Sequence, residues 1–229
     1  PAGGLDAFIK DHLNAPDRQL LGAEQEAWLE AALQRSKGRG ATWQVLGQQL
    51  LMGKLNIPVI PPEELAKLEL SEYARPRVAQ TQQLAPYGLP LNLDAWDGYP
   101  AARERLFAML TAHATNPISL AGDTHNGWAF NLTNAQGEAV GVEWGTPGIS
   151  SPGLETYLPL PPEEMRALLM VASPELVAAD TSQRGWTQVT LSPEAATAQW
   201  RFVSSVTDPT YQTSAGEPLV TQRNARKLA

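Results

Sequence analysis

A short apolar segment that ends at a glycine constrains the fold of this chain more than any other feature. Residues 118–121 read Ile-Ser-Leu-Ala and are followed by Gly122. A run of this length, bounded by glycine, is typical of a buried strand in a sheet covered by helices. Asp123 and His125 come next, and residues two apart project from the same side of an extended chain. The spacing therefore predicts that both side chains face one cavity beyond the carboxyl end of the strand.

The side chains of Asp123 and His125 suit a metal site. A carboxylate and an imidazole bind hard or borderline cations such as manganese, iron or zinc. The structural alternative is that Asp123 caps a turn and that His125 is half-buried, with its ring bonded to backbone groups. The chain has three histidines and no cysteine. We therefore expect no second histidine-rich half-site, no thiolate ligand and no disulfide bond.

Charge and composition exclude several classes of protein. The chain has 229 residues, which is enough for one domain or slightly more. A net charge of −7 argues against a nucleic-acid binder, whose surface would be basic. With 18 glycines, 19 prolines and only 18% charged residues, the chain is a loop-rich globular protein rather than a coiled coil. No stretch approaches the roughly 18 apolar residues of a membrane span, so no transmembrane segment is expected.

The apolar periodicity predicts an α/β (α+β) fold with helices and buried strands first and a β-rich second half. Helices are expected at 5–13, 23–34, 100–113 and 162–172. A buried strand that runs into a loop is expected over 42–52. Further strands are expected at 118–121, 128–132 and 139–144, and three antiparallel strands at 177–180, 185–191 and 196–206. Residues 54–92 are interrupted by six prolines, and a loop this long is seldom without a role. We expect an irregular insertion or lid there, with a short helix over 63–70.

The segment 92–100 carries a second group of oxygen-bearing side chains: Asn92, Asp94 and Asp97. It does not fit a calcium loop of the EF-hand type, because its glycine is one position late and Arg103 stands where the closing glutamate belongs. The structural interpretation is that Asp97 or its neighbour caps the helix that Pro100 opens. Trp96 and Tyr99 would then be anchoring aromatic side chains.

Three motifs in a fixed order resemble those of a known family. They are residues 94–103 (DAWDGYPAAR), 122–125 (GDTH) with Trp128, and 146–153 (TPGISSPG). Weaker matches flank them at 18–29, 43–49, 184–186 and 200–203. Each motif alone is weak, but the ordered set resembles the PhoD-type alkaline phosphatase family over nearly the whole chain. Gly148 stands where that family usually has serine, a departure confined to a loop.

The resemblance implies a calcineurin-like metallophosphoesterase fold, a four-layer αββα sandwich with a dinuclear metal centre at the strand ends. In that family the Gly-Asp-x-His motif supplies metal ligands, so Asp123 and His125 are the expected catalytic and metal-binding residues. The implied metals are iron, calcium, manganese or zinc. Five further residues are expected at the rim of the active site: Trp96, Asp97, Tyr99, Asn126 and Trp128.

The family's earlier motifs, which carry most of its metal ligands, are absent from residues 1–229. Two metals need about six or more ligands, and this chain offers two. It also begins at Pro1 rather than at a methionine. We therefore expect residues 1–229 to be the C-terminal half of one metallophosphatase domain, with the N-terminal half as its partner.

The resemblance thus implies that the whole enzyme is a metal-dependent phosphoesterase, an alkaline phosphatase or phosphodiesterase, that hydrolyses phosphate esters. Residues 1–229 alone are expected to be inactive. The resemblance also implies a periplasmic or secreted enzyme. The alternative is a catalytically inactive structural or binding fragment with no metal site of its own. Metal content distinguishes the two.

Overall fold

The computed structural model describes residues 2–229 and contains two β-sheets and six α-helices within that range. The helices are Ala2–Phe8 (α1, continued by the π-helical turn Ile9–Leu13), Ala23–Gly38 (α2), Pro62–Leu65 (α3), Ala74–Leu84 (α4), Pro100–His113 (α5) and Pro162–Ala172 (α6). The strands are Gln44–Gly47 (β1), Pro117–Ala121 (β2), Gly127–Thr133 (β3), Ala139–Gly145 (β4), Leu176–Asp180 (β5), Arg184–Leu191 (β6), Ala195–Val203 (β7), Thr213–Ala215 (β8) and Leu219–Gln222 (β9). Every described strand except β1 follows α5, so the second half is β-rich as predicted.

The first sheet is mixed and has the order β1-β2-β4-β3-β5. Strands β1, β2 and β4 are parallel, whereas β3 runs antiparallel to both β4 and β5. The interior position of β2, between β1 and β4, explains its apolar sequence, because four of its five residues are buried and Ile118 is fully so. The predicted strand at 118–121 is therefore confirmed, and its carboxyl end opens directly into the turn that carries Asp123 and His125.

The second sheet is antiparallel, with the order β6-β7-β8 and with β9 also paired to β7. Along β7 every second residue is buried, which is the period of a strand with one face on the core. The inward-facing residues Trp200 and Phe202 pack in one cluster with Ile118 and Trp144 of the first sheet. The two sheets therefore share a core.

The three antiparallel strands predicted at 177–180, 185–191 and 196–206 are present, but they are divided between the two sheets. Strands β6 and β7 do pair, but β5 leaves them and joins the first sheet beside β3, with Gly127 opposite Asp180. The reason is tertiary: Leu176 at the start of β5 is buried in the core cluster that also contains Leu169 of α6.

The proline-rich segment 54–92 is more regular than its sequence indicates. It contains α4, with Pro76 in its first turn. Backbone N–H groups in the first turn have no acceptor within the helix, so the missing N–H of proline breaks no helical hydrogen bond. The helix expected over 63–70 is present only as the short α3. Side chains of this segment contribute to the protein's core, among them Leu55, Ile60 and Val78. In the described residues, no helix has the length and apolar character needed to cross a bilayer.

Candidate active site

A cavity of about 330 Å³ lies at the carboxyl end of β2. The turn between β2 and β3 lines it with Asp123, Thr124, His125 and Asn126. Three connecting segments and the start of β3 contribute the other lining residues: Leu51, Gly53, Leu55, Leu91, Asn92, Ala95, Asp97, Trp128, Pro152, Gly153, Leu154 and Tyr157. The structure thus places both predicted metal-binding side chains in one cavity, together with three of the five expected rim residues, Asp97, Asn126 and Trp128.

The turn that holds Asp123 and His125 is not extended, contrary to the geometry assumed from the sequence. Asp123 has φ of 65° and His125 has φ of 60°, both in the left-handed region. Non-glycine residues in this region cost about 1–3 kcal/mol each and are concentrated at functional sites. The backbone carbonyl of His125 accepts hydrogen bonds from Gly148 N and from Arg184 Nη1, both at 3.0 Å, which stabilise the turn. The two side chains share a cavity because of this bent backbone.

The imidazole of His125 is held in one tautomer. Its Nδ1–H donates to the carbonyl oxygen of Pro152 at 2.8 Å, so Nε2 carries the free lone pair. The Oδ1 atom of Asp123 accepts a hydrogen bond from Gln49 Nε2 at 3.1 Å. Both side chains are exposed, which leaves a carboxylate and an imidazole nitrogen available to a cation. Among residues 2–229, no three His, Cys, Asp or Glu side chains come together in a way that could hold a metal ion.

Asp97 does not cap α5, so that interpretation is wrong. Helix α5 begins at Pro100 without any side-chain cap, and Asp97 Oδ2 instead accepts a hydrogen bond from Leu55 N at 3.0 Å. Only 8% of Asp97 is exposed. Burial raises the pKa of this carboxyl to about 7, although the bond from Leu55 and the nearby charge of Arg103 both lower it. Asp97 is therefore a buried acid at the wall of the cavity.

Two expected rim residues, Trp96 and Tyr99, lie outside this cavity. Trp96 is buried, donates from Nε1 to Gln48 Oε1 at 2.7 Å and lines a separate apolar cavity of about 540 Å³ between α2 and β1. The guanidinium of Arg18 stacks over the ring of Tyr99, 4.1 Å from its centroid. Both aromatic residues anchor the chain, as the structural interpretation of this segment held.

Asn126 and Gly153 bring the turn after β2 into contact with the loop after β4 beside the cavity. Asn126 is 1% exposed, and its Oδ1 accepts a hydrogen bond from Leu154 N at 3.1 Å. A Cβ atom at Gly153 would overlap the Nδ2 atom of Asn126, so this position requires glycine. On the far side, Trp128 donates from Nε1 to Thr124 Oγ1 at 2.6 Å. The contacts of Asn126 join the turn after β2 to the loop that carries Pro152, and the bond from Trp128 ties that turn to the start of β3.

A buried group of charged residues behind the cavity was missed by the sequence reasoning. Glu143 on β4 is fully buried, and Arg103 on α5 is 1% exposed. Arg103 pairs with Glu175 through Nη2 at 2.7 Å. The available signal was Glu143 itself, a charged residue within the otherwise apolar strand Val-Gly-Val-Glu-Trp.

A second ion pair, between Arg184 and Glu155, connects the start of β6 to the loop after Gly153.

Comparison with known proteins gives consistent results. The family described as PhoD-like phosphatase matches residues 6–200. Alkaline phosphatase D of Bacillus subtilis (strain 168) is 27% identical over 223 residues, which are 95% of this chain but 32% of that protein. A solved chain described as "Structure of PhoD" is 26% identical, with a TM-score of 0.64, and the match covers 93% of this chain and 35% of the solved one. This chain thus spans about one third of the length of each relative.

Proposed function

Since this chain belongs to the PhoD-like phosphatase family, we propose that it forms part of an enzyme that hydrolyses phosphate esters with the help of metal ions. The observation that carries the proposal is the cavity at the end of β2, where the carboxylate of Asp123 and the free Nε2 of His125 are both available. An imidazole of fixed tautomer suits iron, manganese or zinc, and the carboxylate also suits calcium.

The residues of this chain would hold and orient two of the metal ligands. Asp123 would bind through its carboxylate, which accepts a hydrogen bond from Gln49, and His125 through Nε2, because Nδ1 is bonded to the carbonyl oxygen of Pro152. The metal ions, when bound, supply an activated water and positive charge that neutralises the phosphoryl oxygens. Asp97 adds a buried carboxyl to the same cavity.

We propose that the remaining ligands come from the N-terminal half of the same domain, which would be the partner of residues 1–229. The matched region is about one third of each relative, so the rest of such a protein is long enough to carry further ligands. The two sheets would then be the inner layers of a four-layer αββα sandwich. The 39% exposure of Trp186 on β6 and the 64% exposure of Trp28 on α2 leave apolar surface for further layers. The isolated chain would be inactive, since it carries two ligands of a dinuclear centre.

The proposed substrates are phosphate monoesters or diesters. Residues 54–92 supply Leu55, Leu91 and Asn92 to the cavity, which supports a role for this segment as a cover over the alcohol part of the substrate. By its family, the enzyme would act in the periplasm or outside the cell.

The proposal is tested by reconstitution. Residues 1–229 are expressed alone and together with the N-terminal half of the domain, and hydrolysis of p-nitrophenyl phosphate and of its bis ester is measured with added iron, calcium, manganese or zinc. We expect turnover only in the presence of both halves and of metal. Metal-dependent turnover by residues 1–229 alone would refute the division of the site. A reconstituted protein that binds no metal and hydrolyses neither ester would instead support a purely structural or binding role.

A further inference from the structure

Five consecutive backbone N–H groups, those of residues 52–56, donate to side chains rather than to a neighbouring strand. Met52 N and Gly53 N donate to Glu143 at 2.9 and 2.8 Å, Lys54 N to Glu175 at 3.1 Å, Leu55 N to Asp97 at 3.0 Å and Asn56 N to Ser173 Oγ at 3.0 Å. The acceptors come from three separate parts of the chain: Asp97, Glu143, and the pair Ser173 and Glu175 between α6 and β5. We call residues 52–56 the wall segment. Its N–H groups are held by side chains, and on the carbonyl side Leu55 O accepts a backbone bond from Leu91 N at 2.7 Å.

Glu143 accepts two of these five N–H groups, more than any of the other acceptors. Its carboxylate is fully buried and also accepts the hydroxyl of Ser119 at 2.7 Å. Burial raises the pKa of this carboxyl, and the bonds it accepts oppose the rise. A buried charge is costly unless its hydrogen bonds are complete, and Glu143 has them. Arg103 also binds the wall segment, because its Nε donates a hydrogen bond to the carbonyl oxygen of Met52 at 2.6 Å.

The wall segment is also held from the opposite side. A Cβ atom at Gly53 would overlap the ring of Phe130, a fully buried residue of β3. Gly53 therefore lies directly against that ring while its N–H is bound by Glu143. Since the position tolerates neither a side chain nor much movement, the wall segment has little freedom to shift toward β3.

The same segment forms an apolar part of the candidate active site. Gly53 and Leu55 of the wall segment, together with Leu51 just before it, line the cavity that Asp123 and His125 also line. The polar ligands and the apolar wall are thus contributed by different parts of the chain. An apolar wall next to a cation site suits the alcohol part of an ester, whereas the phosphoryl group would lie on the side of the two ligands.

We propose that Glu143 is a positioning residue: by holding the N–H groups of Met52 and Gly53, it fixes the wall against which the alcohol part of the phosphate ester packs. This inference rests on the proposed function and adds to it the residue that sets recognition of the leaving group. Glu143 itself does not line the cavity, so it acts through the wall segment.

The first test needs no activity. In residues 1–229, Glu143→Gln should speed amide hydrogen exchange of Met52 and Gly53 by about tenfold or more, because the amide offers one acceptor oxygen where the carboxylate offered two. The matched control is Glu138→Gln, an exposed residue of the β3–β4 turn, which should leave both rates unchanged. Unchanged exchange at Met52 and Gly53 in Glu143→Gln would overturn the proposal.

The second test uses the complete enzyme with its metals. Glu143→Gln should raise KM for p-nitrophenyl phosphate by about tenfold, with little change in kcat, since a displaced wall weakens binding of the aryl group. The inhibition constant of inorganic phosphate, which has no alcohol part, should stay the same. Equal loss of phosphate and ester binding, or an unchanged KM, would contradict the proposal. Absence of turnover in the unaltered enzyme would instead count against the proposed function.

Should Glu143→Gln fail to fold, Glu143→Asp decides the question. It keeps the charge but withdraws the carboxylate by one methylene, so it should reproduce the rise in KM with phosphate inhibition intact. A folded Glu143→Asp enzyme with wild-type KM for the aryl ester would overturn the positioning role.

Discussion

The Nδ1–H of His125 donates to the carbonyl oxygen of Pro152 at 2.8 Å, across 27 positions of the chain. This bond decides the chemistry of the imidazole, because it leaves Nε2 as the nitrogen with a free lone pair. It also links the turn after β2 to the loop whose neighbouring Gly153 packs against Asn126. Ligand orientation and loop packing are therefore coupled, and substitutions in either should affect both.

Gly153→Ala should damage the site through packing. The added methyl group would overlap Asn126 Nδ2, so the loop must move, at a cost of about 1–3 kcal/mol in the free energy of unfolding. The displaced loop should also loosen the bond between Pro152 and His125. Urea denaturation measures the first effect, and the chemical shifts of the His125 ring nitrogens measure the second. Gly47→Ala in β1, where a methyl group meets nothing within 4 Å, is the control. Equal stability of the two variants would contradict the packing argument.

Asp97 should make the stability of the fold depend on pH. Its pKa is raised by burial from 3.8 to about 7, so the folded state binds the proton more tightly than the unfolded state. The contribution of Asp97 to stability is complete below about pH 4 and is lost as the pH rises to about 7, at up to roughly 1.4 kcal/mol per pH unit.

Comparison with Asp97→Asn isolates this effect. Asparagine keeps an acceptor oxygen for Leu55 N but does not titrate. The difference in unfolding free energy between wild type and variant should therefore change between pH 4 and 7 and become constant above that range. Urea titrations at several pH values provide the measurement. A difference that stays constant from pH 4 to 7 would show that the carboxyl is not perturbed.

Asp97→Ala should destabilise the fold more than the loss of a helix cap would. Leu55 N would lose its acceptor in a buried setting, which costs about 1–3 kcal/mol. Asp94→Ala, an exposed carboxylate three residues earlier, is the matched control and should cost little. Thermal unfolding of the two variants distinguishes them. A negligible effect of Asp97→Ala would mean that water replaces the carboxylate.

Asp123→Gly should separate stability from metal binding. Glycine adopts φ of 65° without the penalty that a Cβ atom brings, so this variant should be more stable than Asp123→Ala by about 1 kcal/mol. Both variants lack the carboxylate and should lose metal binding alike. Thermal unfolding and metal analysis of the two proteins give the comparison. Equal stability would show that the left-handed conformation is not retained without aspartate.

The elements that the sequence predicted well are those with strong local signals. Helix α5 begins at Pro100 and ends at His113 as expected, since proline suits the first turn and the apolar residues repeat at helical spacing. Strand β2 was evident from its apolar run. The pairing of β5 with β3 was not predictable from local pattern, because it depends on where Leu176 packs.

Part of the site was likewise outside the reach of local reasoning. The i, i+2 spacing of Asp123 and His125 predicted a shared cavity on the assumption of an extended chain. The two residues do share a cavity, but their backbone is left-handed, which the spacing does not predict. Asp97 was interpreted as a cap because Pro100 follows it closely. Its actual partner, Leu55, lies 42 positions away, and only the folded chain brings them together.

Whether His125 binds a metal ion can be read from the metal content of the complete enzyme. Wild type, His125→Ala and the control His12→Ala, which alters an exposed histidine outside the cavity, are purified and analysed for bound iron, calcium, manganese and zinc. We expect His12→Ala to keep the wild-type metal content and turnover. We expect His125→Ala to lose at least one metal equivalent and, with it, most hydrolysis of p-nitrophenyl phosphate, since a lost ligand removes or misplaces the metal. A His125→Ala enzyme with wild-type metal content and full turnover would contradict the assignment of His125 as a metal ligand.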